Sequence, residues 1–235
     1  MTRLAALLPF ALVACVDNGD EGMYVVENTA VTGACTLTGS PDQPFISHGL
    51  INYGSPVPYQ LTPLIQSRLM AVEMDGDVVA RTIQLRRADI TLQLVAVSTD
   101  TATTQKDVAL PPLSSLFSGA LPPGGFINVG FDLIPASTLK SIATMSGVDP
   151  ATTAFAAEVV ASITIKGVIN GDEISSAPYV YPLTVCSQCI VNIVGDCPMT
   201  MGQPRTGNGC NPFQDGAVDC CKETSGALTC PARTL

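Results

Sequence analysis

The segment Val159–Ile169 (VVASITIKGVI), the dipeptide Asn170-Gly171 and the segment Glu173–Val185 (EISSAPYVYPLTV) decide the fold of this chain. Apolar and polar residues alternate along the first segment, which is the pattern of a strand with one buried face. Asn-Gly is favoured in type I′ turns, so the two segments predict a β-hairpin. Because proline cannot donate to a ladder, Pro178 and Pro182 predict that the returning strand lies at a sheet edge or is broken.

Other segments carry the same signal. Ala88–Val95 and Phe126–Ile134 (FINVGFDLI) alternate in the same way, and Met23–Thr32 has strand composition. Leu64–Val72 is too short to distinguish a strand from a helical turn. Several short strands separated by turn residues predict an antiparallel β-sandwich, Ig-like or similar, over residues 23–185. An open barrel would give a similar pattern.

One short helix and one loop interrupt the predicted strands. Pro135–Gly147 (PASTLKSIATMSG) begins with proline, ends with glycine and carries one apolar stripe, which predicts a helix. Ser98–Lys106 is polar and rich in threonine, and we expect it to be a loop.

Residues 186–235 predict a small module held together by disulfides. Seven cysteines fall in these fifty residues, well above the roughly 8–10% that marks a disulfide scaffold. Large apolar residues are scarce there, so covalent bridges must replace a conventional core. The adjacent pair should reach two different partners, because a bridge between neighbours is strained. The seven are Cys186, Cys189, Cys197, Cys210, Cys220, Cys221 and Cys230.

Two further cysteines, Cys15 and Cys35, precede the tail. If Cys15 carries a lipid, the remaining eight can pair completely, and one tail cysteine must then pair with Cys35. Such a bridge closes a loop of about 150 residues or more and restrains the unfolded chain by about 5 kcal/mol. Cys186 and Cys189 are the preferred partners for Cys35, because they follow the last predicted strand. The other pairings stay open.

The spacing of Cys186 and Cys189 also permits two sharper interpretations. Zinc would favour a second C-x2-C pair or histidine ligands, and only Cys186 and Cys189 have that spacing. A thiol-exchange motif would begin a helix, whereas this pair follows a predicted strand and precedes the extended-looking Ile190–Val194. The sequence therefore predicts disulfides, with no metal and no cofactor.

Residues 1–14 have the composition of an export signal. Arg3 supplies a positive start and Leu4–Ala14 an apolar core. The run is shorter than the roughly 20 apolar residues of a transmembrane helix, and Pro9 interrupts it. An ordinary secretory signal prefers small residues at −1 and −3 of the cut, whereas Leu12 occupies −3. A buried N-terminal helix is the remaining alternative.

The motif Leu12-Val13-Ala14-Cys15 resembles the lipobox of bacterial lipoproteins. The resemblance implies cleavage before Cys15 and a diacylglycerol on its sulfur, so that residues 15–22 would form a lipidated cysteine and a tether. Val16, where the inner-membrane retention signal has aspartate, favours the outer membrane. With the tail motif Cys210–Gly216 (CNPFQDG) through Cys230, the chain resembles uncharacterised, cysteine-rich lipoproteins of the bacterial cell envelope.

Charge excludes one class of partner. The formal net charge is −9, and only 13% of residues are charged. Phosphate backbones would be repelled, so we expect no nucleic-acid binding. Electrostatic attachment to anionic lipid is equally disfavoured, which leaves the acyl group as the expected membrane contact.

No catalytic constellation stands out. His48 is the only histidine, it lies in a Pro/Gly-rich loop, and no G-x-S-x-G motif accompanies it, so a surface histidine is predicted. Pro122–Gly125 lacks the lysine and the strand-to-helix setting of a phosphate loop.

Two pairs of acids could in principle serve a glycosidase. The pairs Asp75/Asp77 and Asp172/Glu173 fall in predicted turns, where acids are common for conformational reasons. Tryptophan is absent, which removes the usual platform for sugars. Arg86-Arg87 precedes a predicted strand, and we interpret it as protection of a sheet edge.

The expected function is therefore a non-catalytic one. We expect a membrane-anchored envelope lipoprotein that binds a protein partner or supports structure, with loops or an edge strand presented to that partner. One alternative is an envelope hydrolase with carboxylate or metal chemistry on the sandwich loops. A small-ligand carrier is the other, and it would need an apolar cavity inside the sheet.

Overall fold

A computed structural model describes residues 22–31, 35–74, 77–79, 81–150, 153–187, 189–198, 204–231 and 233–234. The predicted fold class is confirmed, because the described chain is mainly β, its sheets are largely antiparallel, and the two main layers form a sandwich. The elements in chain order are β1 Met23–Asn28, β2 Gly49–Asn52, β3 Tyr59–Leu61, β4 Pro63–Ser67, β5 Val72–Met74, β6 Asp77–Val79, β7 Ile83–Thr99, β8 Thr103–Ala109, β9 Leu113–Leu121, β10 Phe126–Asn128, β11 Phe131–Ile134, α1 Ala136–Ser146, β12 Phe155–Ile169, β13 Asp172–Ser175, β14 Tyr179–Cys186, β15 Val191–Asp196, β16 Val218–Lys222, β17 Leu228–Cys230 and β18 Arg233–Thr234.

Two long strands form the centre of the larger layer. β7 and β12 pair antiparallel from Phe155↔Thr99 to Val168↔Gln84. β8 and β9 follow one another along the far side of β7, while β13 and β14 do the same along β12. β2 completes the sheet by pairing parallel to β14. The main sheet therefore ends in β2 on one side and in β8 and β9 on the other.

The alternation expected from the sequence sets which face of this sheet is buried. Along β12, every second residue from Phe155 to Ile165 is buried and the intervening ones are half-exposed. Ile90, Leu92 and Leu94 of β7 are buried in the same way, as their spacing predicts. A side-chain period of two aims this whole set at the second layer.

The predicted hairpin is confirmed in outline. Asn170 and Gly171 both have positive φ, 52° and 98°, as a type I′ turn requires. The returning strand is broken between β13 and β14, the outcome that Pro178 predicts. At the break, Ser176 keeps the ladder intact, since its amide donates to the Ile165 carbonyl and its Oγ accepts from the Ile165 amide.

The second layer consists of two small sheets, β1-β4-β10 and β11-β3. The predicted strand Phe126–Ile134 is divided between them, because β10 pairs with β4 and β11 pairs with β3. Phe131 of β11 stacks on Phe117 of β9, with ring centroids 5.1 Å apart, so the two layers share one apolar core.

The helix α1 is confirmed. Pro135 precedes it in an extended conformation, and Gly147 ends it in the left-handed region at φ 76°. Leu139, Ile142 and Ala143 are buried in the same core. Its eleven residues are too few to cross a bilayer, and none of the described helical structure is long and apolar enough to do so.

The structure corrects two local predictions. Ser98–Lys106 is not a loop, because β7 continues to Thr99 and β8 begins at Thr103. Threonine favours strands, and this strand is polar because almost all of it is exposed. Arg86-Arg87 is not at a sheet edge, since both residues lie inside β7, and Arg87 binds Asp89 and Glu173 through ion pairs on the open face.

The four strands of the tail form a sheet of their own, in the order β15-β16-β17-β18. Its apolar contacts are few, with Val218, Cys220 and Cys230 buried beside half-buried Val191 and Leu228. The extended form expected for Ile190–Val194 appears as β15. This sheet therefore depends on bridges more than on a core.

Candidate functional site

The eight cysteines from residue 35 onward form four disulfides. Two of them link residues within the tail, and the adjacent Cys220 and Cys221 have different partners, as predicted. A third joins the end of β14 to the start of the tail, and the fourth spans most of the chain. The pairs are Cys35–Cys210, Cys186–Cys189, Cys197–Cys221 and Cys220–Cys230.

The prediction that Cys35 pairs with Cys186 or Cys189 is wrong. Cys35 pairs with Cys210, at a sequence separation of 175, whereas Cys186 and Cys189 pair with each other. The reason is topological, because β14 pairs with β2 on one side and β12 on the other, so Cys186 lies inside the sheet. Cys15 and the lipobox fall outside the described residues.

The bridge to Cys210 delivers a tail segment, Asn211–Asp215, onto the β2 side of the sandwich. The Asn52 amide donates to the Phe213 carbonyl at 3.2 Å, and the Asp215 amide donates to the Leu50 carbonyl at 2.8 Å. The free edge of β2 thus receives a backbone partner from the tail. We call this segment and its contacts the seam.

The other flank of the seam binds β3 through side chains. Gln214 accepts from the Gln60 amide at 2.8 Å and donates to the Gln60 carbonyl at 2.9 Å. One primary amide therefore occupies the place that a neighbouring strand's peptide group would take. Asn211 supports it by donating to Gln214 Oε1 and to the Pro58 carbonyl.

At the centre of the seam lies a half-buried carboxylate. Asp215 Oδ1 accepts from the Leu50 amide at 2.8 Å, and Oδ2 accepts from the Tyr59 hydroxyl at 3.0 Å. Tyr59 is in turn 2.8 Å from the Tyr181 hydroxyl, which accepts from Asn28 Nδ2 at 3.0 Å. The chain of bonds joins the tail to both layers of the sandwich.

Burial is the main cause of the shifted pKa values in this series of hydrogen-bonded side chains. Loss of solvent raises the pKa of Asp215 to about 6, although its hydrogen bonds oppose that rise. Burial beside Asp215 raises the pKa of Tyr59 well above its ordinary value, so the phenol stays neutral and serves as a donor. Gly49 makes room for this phenol, because a Cβ there would lie 2.6 Å from the Tyr59 hydroxyl.

His48 lies just outside the seam, at the surface as predicted. Its Nε2 is 2.7 Å from Thr184 Oγ1, and Thr184 donates to Glu158 Oε1 at 2.7 Å. These three side chains are brought together from separate elements, which the sequence did not reveal. Thr184 is buried and its hydroxyl is engaged by both neighbours, so the group resembles a brace between strands more than an activated nucleophile.

The structure describes the side chains of one of the two predicted acid pairs, Asp172/Glu173. Glu173 lies on β13 and not in a turn, and it accepts from Arg87 Nη2 at 3.3 Å. The side chains of Asp75 and Asp77 lie outside the described residues. Among the residues that are described, no three His, Cys, Asp or Glu side chains are arranged to hold a metal ion.

A surface groove of about 510 Å³ opens beside the end of α1. Tyr53, Lys140, Val148 and Asp149 are among its lining residues. It contains a single carboxylate, whereas glycoside hydrolysis needs a pair. The groove lies at the surface and not inside the sheet, where a carrier would hold an apolar ligand.

The seam residues were missed as a site, although the motif that contains them was noted. Asn211-Pro212 and Asp215-Gly216 are typical turn dipeptides, and they follow a cysteine that can tie them to the sandwich. That combination was the available signal for a structured connection.

Comparison with known proteins adds little. No protein-family model matches the chain, and no curated protein sequence is significantly similar to it. Among solved structures, the sporulation control protein Spo0M from Bacillus subtilis matches 54% of this chain and 41% of its own length, with 14% identity and a TM-score of 0.23. The chain thus matches less than half of Spo0M, and a likeness at this level carries no argument about function.

Proposed function

We propose that this chain is a lipid-anchored protein of the bacterial cell envelope, held in the outer membrane by Cys15, with a non-catalytic binding or structural role. The observation that carries the proposal is the disulfide framework. Four bridges use the eight cysteines of residues 35–230. Disulfides form and persist in oxidising compartments, which supports a place of work outside the cytoplasm.

The ninth cysteine supports the anchor. The framework accounts for an even set of thiols, and Cys15 is the one that follows the apolar segment Leu4–Ala14. If the sulfur of Cys15 carries an acyl group, this ninth cysteine needs no disulfide partner. A single acyl chain binds membranes only marginally, so the two acyl chains of the diacylglycerol would make such an anchor stable.

The described residues support binding or structural support more than chemistry. The carboxylates of Asp89 and Glu173 bind Arg87, and the Asp215 carboxylate is hydrogen-bonded within the seam. A rigid sandwich with one side closed by the tail is suited to hold an exposed strand or loop in a fixed position.

The anchor is tested by expressing the full chain in a Gram-negative bacterium that is fed an alkyne fatty acid. The wild-type protein should carry the label and have the intact mass of a chain that begins at acylated Cys15. Reduction should add two hydrogens for each of the four disulfides. Cys15→Ser should lose the label, and the matched control Val16→Ala should keep it.

Two results would overturn this proposal. One is a membrane-extracted wild-type protein that retains Met1 and has free thiols. The other is a protein cleaved and exported without fatty acid, as expected for an ordinary secretory signal. The binding role is tested separately by cross-linking in intact cells, and failure to recover any envelope component in any growth phase would count against it.

A further inference from the structure

The described chain enters the sandwich beside the loop that follows β4. Gly22 precedes β1, and its carbonyl accepts from the Arg68 amide at 2.8 Å, directly after β4 ends. A Cβ on Gly22 would lie 3.4 Å from Leu69 Cδ2, so Leu69 packs against the point of entry. The loop 68–71 therefore adjoins the place where the chain joins the fold.

A second loop, 122–125, lies at the same end of these strands. The Ser67 amide donates to the Gly125 carbonyl at 3.0 Å, and Ser67 pairs with Met23 across β4 and β1. The start of β1, the end of β4 and both loops are thus neighbours. We call the two loops the entry surface.

The entry surface is apolar and carries almost no charge. Met70 is 82% exposed, a value that only Leu116 matches among the described large apolar side chains, and Leu69 beside it is half-buried. Residues 122–125 contain no charged residue, and Arg68 is the one cation of the two loops. A single exposed methionine is ordinary on a protein surface, so its position in the molecule decides whether it has a role.

The proposed anchor lies close to this surface along the chain. Cys15 is seven residues before Gly22, and a fully extended chain spans at most about 3.6 Å per residue. An acyl group on Cys15 therefore keeps Gly22 within about 25 Å of the lipid. Met70 follows the loop residues that contact Gly22, so an exposed apolar side chain is held next to the membrane.

The disulfide-bonded tail begins at the other end of the main sheet. Ile174, which lies 3.5 Å from a Cβ placed on Gly22, belongs to β13 and pairs with the last residues of β12. The tail begins beside the first residue of β12, where the Ser187 amide donates to the Phe155 carbonyl at 3.0 Å. β12 has 15 residues and is roughly 50 Å long. The anchor therefore restrains the entry surface more closely than it restrains the tail.

We propose that the entry surface rests on the membrane, with Met70 and Leu69 inserted at the interface of a bilayer of zwitterionic phospholipid. This inference rests on the proposed function and adds an orientation and a second membrane contact to it. Charge selects the lipid, because the net charge of −9 opposes approach to an anionic surface. Two apolar side chains are too few to bind a membrane alone, so the acyl group attaches the protein and the entry surface orients it.

The test uses the fact that the chain contains no tryptophan. Lipidated, disulfide-intact Met70→Trp is reconstituted into phosphatidylcholine vesicles in which part of the lipid has brominated acyl chains. Its emission should shift to shorter wavelength and lose most of its intensity, because bromine quenches an indole that it contacts.

Two matched controls separate the site from the reporter, since tryptophan itself favours membrane interfaces. Leu116→Trp replaces a side chain with the same 82% exposure inside β9, and Ile193→Trp replaces a 53% exposed side chain in the tail sheet. Both should stay unquenched on the same vesicles.

The acylation of each variant is read from its intact mass in the same samples. Fatty acid on Cys15 together with an unquenched Met70→Trp, or equal quenching of all three variants, would overturn this inference and leave the anchor standing. Absence of the fatty acid would overturn the anchor and this inference together.

Discussion

The two ends of the main sheet are treated in opposite ways. At β2 the tail supplies backbone bonds, beside them Gln214 binds the peptide groups of Gln60 on β3, and the Cys35–Cys210 bridge ties the tail to the start of the chain's fold. At β8 the described chain supplies nothing, and the strand is exposed on both faces. The contrast shows that this chain closes one edge of its main sheet by its own means and leaves the other exposed.

The largest effect should come from the Cys35–Cys210 disulfide, which ties the tail to the sandwich. We expect Cys35→Ser/Cys210→Ser to lower the free energy of unfolding by about 5 kcal/mol, because the bridge spans 175 residues. Cys220→Ser/Cys230→Ser spans ten residues and should cost about 3 kcal/mol. Urea unfolding under oxidising conditions measures both, and equal costs would show that the tail does not restrain the sandwich.

The next effect concerns pH at the seam. Burial raises the pKa of Asp215 from its ordinary 3.8 to about 6, so between those values the folded state binds more protons than the unfolded state. The contribution of this group to stability therefore rises as pH falls from 7 to 4, by on the order of 3 kcal/mol. Tyr59, Tyr181 and His48 are the ionisable groups that act on or with this carboxyl.

Comparison of Asp215→Asn with wild type, by thermal or urea unfolding across that range, isolates this contribution. The wild-type advantage should grow as pH falls. Asp219 provides a control of opposite sign, because the Arg205 guanidinium holds its pKa below the usual range and its contribution is lost on acidification. Parallel pH profiles for wild type and Asp215→Asn would contradict the raised pKa of this carboxyl.

A smaller effect is expected from Gln214, whose side-chain amide takes the place of a neighbouring strand's peptide group. Gln214→Ala leaves the amide and carbonyl of Gln60 without partners, and the cost should be roughly 1–3 kcal/mol. Hydrogen exchange should show loss of protection at the Gln60 amide in particular. Unchanged exchange there would mean that β3 does not need the tail.

The smallest effect should come from Gln105, the exposed glutamine on β8 at the other end of the sheet. Gln105 is exposed on β8, so Gln105→Ala should change the free energy of unfolding of the monomer by no more than about 0.5 kcal/mol. A cost near that of Gln214→Ala would remove the distinction between the two ends.

The sequence predicted those elements whose pattern is local. The alternation in β7 and β12, the Asn170-Gly171 turn and the helix bounded by Pro135 and Gly147 each express a short-range rule. The edge strand β8 was missed because an exposed strand has no buried face, and without one the alternation of apolar residues disappears.

Long-range contacts could not be read in the same way. The pairing of Cys35 with Cys210 depends on which strand neighbours β14, and the parallel partner β2 is separated from it by more than a hundred residues. The seam follows from that arrangement, since Gln214 and Asp215 find Gln60 and Tyr59 only after the tail is brought back. The types of the residues alone do not indicate such long-range contacts.

The Cys35–Cys210 bridge also changes what proteolysis can achieve. Residues 35–210 form a covalent ring that contains nearly all of the sandwich. A protease that cuts one peptide bond within this ring opens it without releasing a fragment, because both pieces stay joined through the two sulfurs. Damage of that kind would pass unnoticed on a non-reducing gel, and the nicked molecule would still be retained wherever its N-terminal part is held.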